Sequence, residues 1–319
     1  MANRKLLIWG LVAAMLSFFV LLLSFIPSPR SGYERYKALN PWSDSVYQSS
    51  LIFAIPIPEK LSFAGEEVPL QYFDVRESLD RELHVNTFWH SQTVLLLKRA
   101  NRFFPIIEPI LKKYNIPDDF KYLAVAESGL TQAVSPSKAV GFWQILESTA
   151  KEYGLEVNQG VDERYHIEKS TEVACQYFKK AYEKYGTWTM AAASYNFGMN
   201  GITKQIDRQE SNSYYDMVLG DETGRYVYRI LALKVIFENP KQYGFFLDSS
   251  DLYPPLEFTE VKVDSAITSI ANFAKQFDTN YKLIKLFNPW LRENYLSNKL
   301  GKSYLIKIPR KGFREEAYK

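Results

Sequence analysis

The chain has 319 residues with 39 basic and 36 acidic side chains, and its net charge of +3 is too mild to point to nucleic acid as a partner. A single cysteine, Cys175, excludes an intrachain disulfide and a cysteine-rich metal site. The three histidines, His84, His90 and His166, show no metal-ligand spacing, so neither metal nor cofactor is expected. Hydrophobic residues make up 46% of the chain, enough for a sizeable core, and its 22 Tyr and 21 Phe suit dense packing or a carbohydrate cleft.

Leu6 to Ile26 carries no charge and, at about 1.5 Å per residue, is long enough as a helix to cross one bilayer core. Arg4 and Lys5 before it favour a cytoplasmic N-terminus. No cysteine stands close behind it, which excludes a lipoprotein anchor, so residues 1–27 are expected to be a retained transmembrane anchor with the rest of the chain exported. Residues 28–79 are rich in Pro, Ser and Tyr and read as an extended strap. Leu61, Phe63, Val68 and Tyr72 are the side chains expected to pack it onto the catalytic domain.

From Asp80 to Tyr114 the pattern turns helical, with Val94, Leu97, Ala100 and Phe104 on one stripe. Pro117 with Asp118 and Asp119 predicts the start of a second helix, on which Phe120, Leu123 and Ala124 share the buried face. Glu127, seven residues after Phe120, falls on that same face, and a carboxylate there must be paired, protonated or functional. A helix is predicted from Ser170 or Thr171 with Val173, Tyr177, Phe178 and Ala181 on one side, and another between a Thr187 cap and a Gly198 stop. A last long helix ends at Asn239-Pro240. Beyond it, "FTEVKV" and "SYLIKIPR" alternate as strands do and flank two short helical pieces, a β-α-α-β order that suggests a separate small module.

Four blocks in order carry a family resemblance: "ESGLTQAVSPSKAVGFWQI…STA", "VDERYHIEKSTEVACQYF", "AAASYNFG" and "ETGRYVYRILA". Together they resemble the family 1 lytic transglycosylases, goose-lysozyme-like enzymes that cut peptidoglycan glycan strands, and within them the membrane-bound D type. "ITSIANFAKQFDTNYKLIKLFNPWL…YLIKIP" looks like one divergent LysM repeat, a peptidoglycan-binding module. The expected fold is therefore mainly α: a lysozyme-like catalytic domain over 80–247, a βααβ LysM-like module over 257–312 and an N-terminal transmembrane helix. The implied place is the cell envelope, inner-membrane anchored with the catalytic domain in the periplasm, and the implied partner is the glycan strand.

By this resemblance Glu127 is the acid/base, and Ser135, Gln144, Tyr195, Asn196, Glu222 and Tyr226 contact the substrate. Phe142 and Trp143 are expected to offer sugar-stacking surfaces. Burial and a helix C-terminus would both raise the Glu127 pKa, as a general acid needs. The implied reaction cleaves the bond between N-acetylmuramic acid and N-acetylglucosamine, with the muramic 6-hydroxyl attacking C1 to leave a 1,6-anhydro end and no water consumed. Such a reaction needs only one carboxylate, where most glycosidases need two. The alternatives are a hydrolytic muramidase and a catalytically silent wall-binding scaffold. Departures from the family pattern are Lys138 where glycine is common, Glu147 for a proline, Ser194 for an alanine, and a Glu127–Ser135 spacing one residue short.

Overall fold

The computed structural model describes residues 54–299 and 301–318. The apolar run expected to span a membrane lies outside the described residues, and among those described no helix is long and apolar enough to cross one.

Residues 28–53 of the expected strap lie outside the described residues, and the described part, 54–79, is more structured than its prolines suggest. Ala64 and Gly65, at φ +53° and +83°, close a two-residue turn between strands β1 (Ser62–Phe63) and β2 (Glu66–Glu67). Phe63 is fully buried, 5.3 Å from the Phe120 ring, with Ile55, Val68 and Leu70 buried alongside; Leu61 is partly covered and Tyr72 stays half exposed. Polar bonds fix the hairpin as firmly. The Asp119 carboxylate accepts from the Ala64 amide at 2.6 Å and from Lys234 Nζ at 2.7 Å, and the same ammonium donates to the Ser62 carbonyl. Glu66 caps a helix across the domain, accepting from the amides of Trp188 and Thr189 and from the Thr189 hydroxyl. Phe63→Ala should destabilise the domain by about 3–5 kcal/mol, the usual cost of emptying a phenylalanine site in a core. Denaturant unfolding checks it, and a cost under about 1 kcal/mol would mean the strap is not part of the core.

Helix α1 (Phe73–Phe88) begins seven residues before the predicted helical region, inside the expected strap, and breaks at Trp89 before α2 (His90–Lys113). A 3-10 turn at Asp118–Phe120 leads into α3 (Lys121–Ser128), whose Tyr122, Leu123, Ala124 and Val125 are buried. Gly129, left-handed at φ +60°, ends α3 through its amide bond to the Val125 carbonyl. Next come the short α4 (Glu147–Glu152) and α5 (Ile167–Tyr185), which starts earlier than predicted and buries Val173, Cys175, Phe178 and Ala181. Helix α6 (Trp188–Phe197) runs between Thr187, whose hydroxyl accepts from the Met190 amide, and Gly198, as predicted. Helices α7 (Met199–Gln209) and α8 (Asp221–Glu238) come after it, and α8 buries eleven of its side chains at the centre of the domain.

In the C-terminal part, β3 (Phe258–Val263) pairs antiparallel with β4 (Tyr304–Pro309), Val261 opposite Ile306. Between them lie α9 (Ile270–Lys275) and α10 (Tyr281–Phe287), the β-α-α-β order expected. The buried Asn288 side chain ties α10 to β4, donating to the carbonyls of Ile284 and Lys307 and accepting from the Lys307 amide. The connection from α8 is fastened to α2: Asn101 and Arg102 donate to the carbonyls of Tyr253 and Pro254, and the Arg102 guanidinium lies 5.2 Å from the Tyr253 ring centre. The module is docked on the rest of the chain, and Ile55–Lys319 cluster as one compact unit.

Candidate active site

Glu127 occupies the last turn of α3, where the run of buried side chains gives way to a part-exposed position. Two phenols approach it. Tyr226, wholly buried on α8, donates its hydroxyl to Glu127 Oε1. Tyr195 on α6 also feels the Glu127 charge, while its own hydroxyl donates to the Trp143 carbonyl at 2.7 Å. Burial pushes both phenols far above their usual range, so they stay neutral donors.

Burial likewise pushes the Glu127 carboxyl up, to about 7. The Tyr226 hydrogen bond and the Arg229 charge pull against that rise, and the nearby Glu222 charge adds to it. Residues 222, 226 and 229 recur at i, i+4 and i+7 on one side of α8, where Tyr226 touches Glu127 and the charges of Glu222 and Arg229 act on it from a distance. Glu222 itself is exposed in the first turn of α8, its carboxylate 3.5 Å from the Asn196 amide nitrogen, and Asn196 Oδ1 accepts from Thr223 at 2.8 Å. Asn196, Glu222 and Thr223 thereby join the end of α6 to the start of α8.

Arg225 and Arg229 do not pair with Glu222. Both turn to Glu82 on α1, at 2.7 and 3.9 Å, and Glu82 is almost completely buried. Glu82 falls seven residues after Val75 on the apolar face of α1, the same signal that singled out Glu127, yet sequence reasoning passed over it.

The loop after α3 folds back on itself through the pairs Val134–Val140 and Val140–Ile145. Ser128 at the end of α3 donates to the Phe142 carbonyl at 2.8 Å and pins the loop to the Glu127 helix. Gln144, left-handed at φ +46°, donates its amide to the carbonyls of Ala133 and Gly141. Ser135 Oγ accepts from the Ala139 amide and closes a tight turn with no bond to Glu127. Lys138 adopts φ +62° in that turn, a conformation glycine takes most easily. Glu147 starts α4 on the surface, paired with Lys151 at 2.5 Å.

Phe142 and Trp143 correct the expectation placed on them. Both are buried in the core, Phe142 edge-on to Phe103 and Trp143 donating its indole N–H to Thr171 at 2.8 Å, so neither face is open to a sugar. They anchor the loop. Asn288 and Trp290 of the C-terminal module are buried too.

Of the predicted residues, Glu127, Tyr195 and Tyr226 converge on one point, Asn196 and Glu222 form a neighbouring pair, and Ser135 and Gln144 hold the loop's own backbone. Residues 104–218 match the transglycosylase SLT domain, and residues 259–312 match the soluble lytic transglycosylase C-terminal LysM-like domain. The chain is 27% identical over 259 residues to the membrane-bound lytic murein transglycosylase D of Escherichia coli strain K12 and, equally, to that of an O6:H1 strain. The match covers 78% of this chain and 55% of each relative, so the chain spans about half the length of the curated relatives it matches. It carries an SLT transglycosylase domain followed by a LysM-like domain.

Proposed function

We propose that the protein is a peptidoglycan lytic transglycosylase that uses Glu127 as both acid and base. The observation that carries this reading is a carboxyl raised to about 7 by burial and hydrogen-bonded by Tyr226. At neutral pH a large fraction of Glu127 is protonated, and Oε2, the oxygen opposite the Tyr226 bond, can deliver the proton to the glycosidic oxygen between N-acetylmuramic acid and N-acetylglucosamine. The carboxylate left behind is stabilised by the Tyr226 hydroxyl and the Arg229 charge. It then takes the proton from the muramic 6-hydroxyl, whose oxygen closes on C1 to form the 1,6-anhydro ring. One bond to C1 breaks, one forms, and Glu127 ends protonated as it began.

Tyr195 and Asn196 would meet the sugar's acetamido group, and Gln144, its N–H bonds spent on the loop, would offer its amide oxygen as an acceptor. Ser135 and Glu222 would border the strand, and the LysM-like module would add a second hold on the wall. The apolar run at 6–26 and the relatives' description as membrane-bound support an envelope enzyme anchored in the inner membrane and facing the periplasm.

A second reading rests on Glu222, whose charge reaches Glu127. Acting as a base, it could activate water and make the enzyme a hydrolytic muramidase. Its exposed position and its bond to Asn196 favour a positioning role instead. Mass spectrometry of fragments that the full-length protein releases from purified peptidoglycan separates the readings. Products lighter by one water than reducing-end muropeptides are expected. Reducing-end products would make it a hydrolase, and no release from folded protein would favour a binding scaffold.

A further inference from the structure

The LysM-like module is fused to the catalytic domain by backbone bonds of the kind found inside a fold. The Asp162 amide donates to the Trp290 carbonyl and the Arg292 amide to the Gly160 carbonyl, both at 2.9 Å, with Val161 paired antiparallel to Leu291. Val140, Val161 and Tyr165 of the catalytic domain share one apolar cluster with the module's own core. Trp290 lies between the rings of His166 and Tyr304, and the Arg292 guanidinium sits 3.9 Å from the Tyr165 ring centre.

The segment that receives the module also holds the loop beside Glu127. Asp162 and Arg164 are both buried and form a two-pronged ion pair, Nε to Oδ1 at 2.9 Å and Nη2 to Oδ2 at 2.7 Å. The remaining prong of the fork, Nη1, reaches the carbonyls of Lys138 at 3.1 Å and Ile145 at 3.4 Å, on either side of Gln144. Gln132 donates to the Tyr165 carbonyl. Gly141 sits so close over Arg164 that a Cβ there would stand 2.3 Å from the Arg164 carbonyl oxygen. The same two residues thus bond the module at one end and the active-site loop at the other.

We propose that the C-terminal module latches the 132–145 loop into its working conformation through Asp162 and Arg164. These are positioning residues for Gln144, and the module contributes to turnover apart from any hold of its own on glycan. The inference rests on the transglycosylase reading above. It implies that interface damage slows the cleavage of a glycan too short to need anchoring.

The test uses the full-length protein, the variants Arg164→Lys, Asp162→Asn and Arg292→Ala, and two substrates: a soluble tetrasaccharide of alternating N-acetylglucosamine and N-acetylmuramic acid, and whole sacculi. Arg164→Lys keeps the charge but loses the fork. With it, kcat on the tetrasaccharide should fall about 10–100-fold, as small misplacements cost, with KM changed less than threefold. Amide exchange at Val140, Gly141, Gln144 and Ile145 should quicken at least tenfold while that of α3 and α8 stays unchanged. A drop on sacculi alone, with tetrasaccharide turnover and loop exchange intact, would overturn the latch and leave the module an anchor. Where a buried variant fails to fold, Arg292→Ala at the exposed end gives the same readouts. Should the parent release nothing, the transglycosylase reading fails while loop exchange still decides the latch, since unchanged exchange in folded variants refutes it.

Discussion

Glu127→Gln is expected to abolish glycan cleavage and, above neutral pH, to make the protein more stable. The loss should be about 10²–10⁴-fold, the range that a positioned acid or base contributes. The gain comes from the same burial. A carboxyl whose pKa rises from 4.5 unfolded to about 7 folded binds its proton more tightly in the native state. Below about pH 4.5 both states are protonated and the burial costs nothing. Between 4.5 and 7 the unfolded chain releases the proton first, so stability falls as pH rises, and above 7 the full cost of about 3 kcal/mol is present. Glutamine carries no charge and escapes that cost. Urea denaturation at pH 8 should therefore find the variant more stable by about 2–3 kcal/mol, and at pH 4 equal to the parent. Equal stability at both pH values would mean that Glu127 titrates normally and is not poised as an acid.

Tyr226→Phe should move the pH profile as well as lower the rate. The hydroxyl bonds the charged form of Glu127, and that bond opposes the rise caused by burial. Without it the carboxyl climbs further, so the alkaline limb of kcat/KM against pH should shift to higher pH than in the parent. The rate itself should drop about 10–100-fold, because the carboxylate formed midway loses a hydrogen-bond donor. A shift toward lower pH, or a profile that does not move, would remove Tyr226 from the acid's environment. The phenylalanine ring fills the same buried space, so a large loss of stability is not expected.

Much of this centre was legible because a helix's buried face is set by spacing. Glu127 stood out as a charge seven residues along an apolar stripe, and it lies at the part-covered end of that stripe against the Tyr226 hydroxyl. The rule reached further than its use: Glu82 obeys it on α1 and gathers both arginines of α8. Helix ends marked by Thr187 and Gly198 were equally readable, since each depends on one residue's local geometry.

What the sequence hid depends on long-range packing. Aromatic side chains cannot announce whether their faces meet sugar or core, and Phe142 and Trp143 meet core because the loop needs an anchor beneath it. Asp162 and Arg164 are two residues apart in an irregular segment, where no periodicity marks a buried pair. The hairpin at 62–67 was masked by neighbouring prolines, although Ala64-Gly65 supplies its turn. The docking of the module through Val161 and Leu291 joins positions 130 residues apart, beyond any local pattern.

Cys175, packed inside α5, has a practical corollary. Its side chain has no exposure, and burial pushes the thiol up to about 12, so near neutral pH it offers maleimides neither access nor thiolate. For labelling, the natural chain behaves as a cysteine-free background. One new thiol in the loop beyond α10, for instance Ser297→Cys, and another at the exposed Val134 can carry a fluorophore pair with no native residue replaced beforehand. Distances between module and loop can then be tracked in single molecules while a strand is being cut.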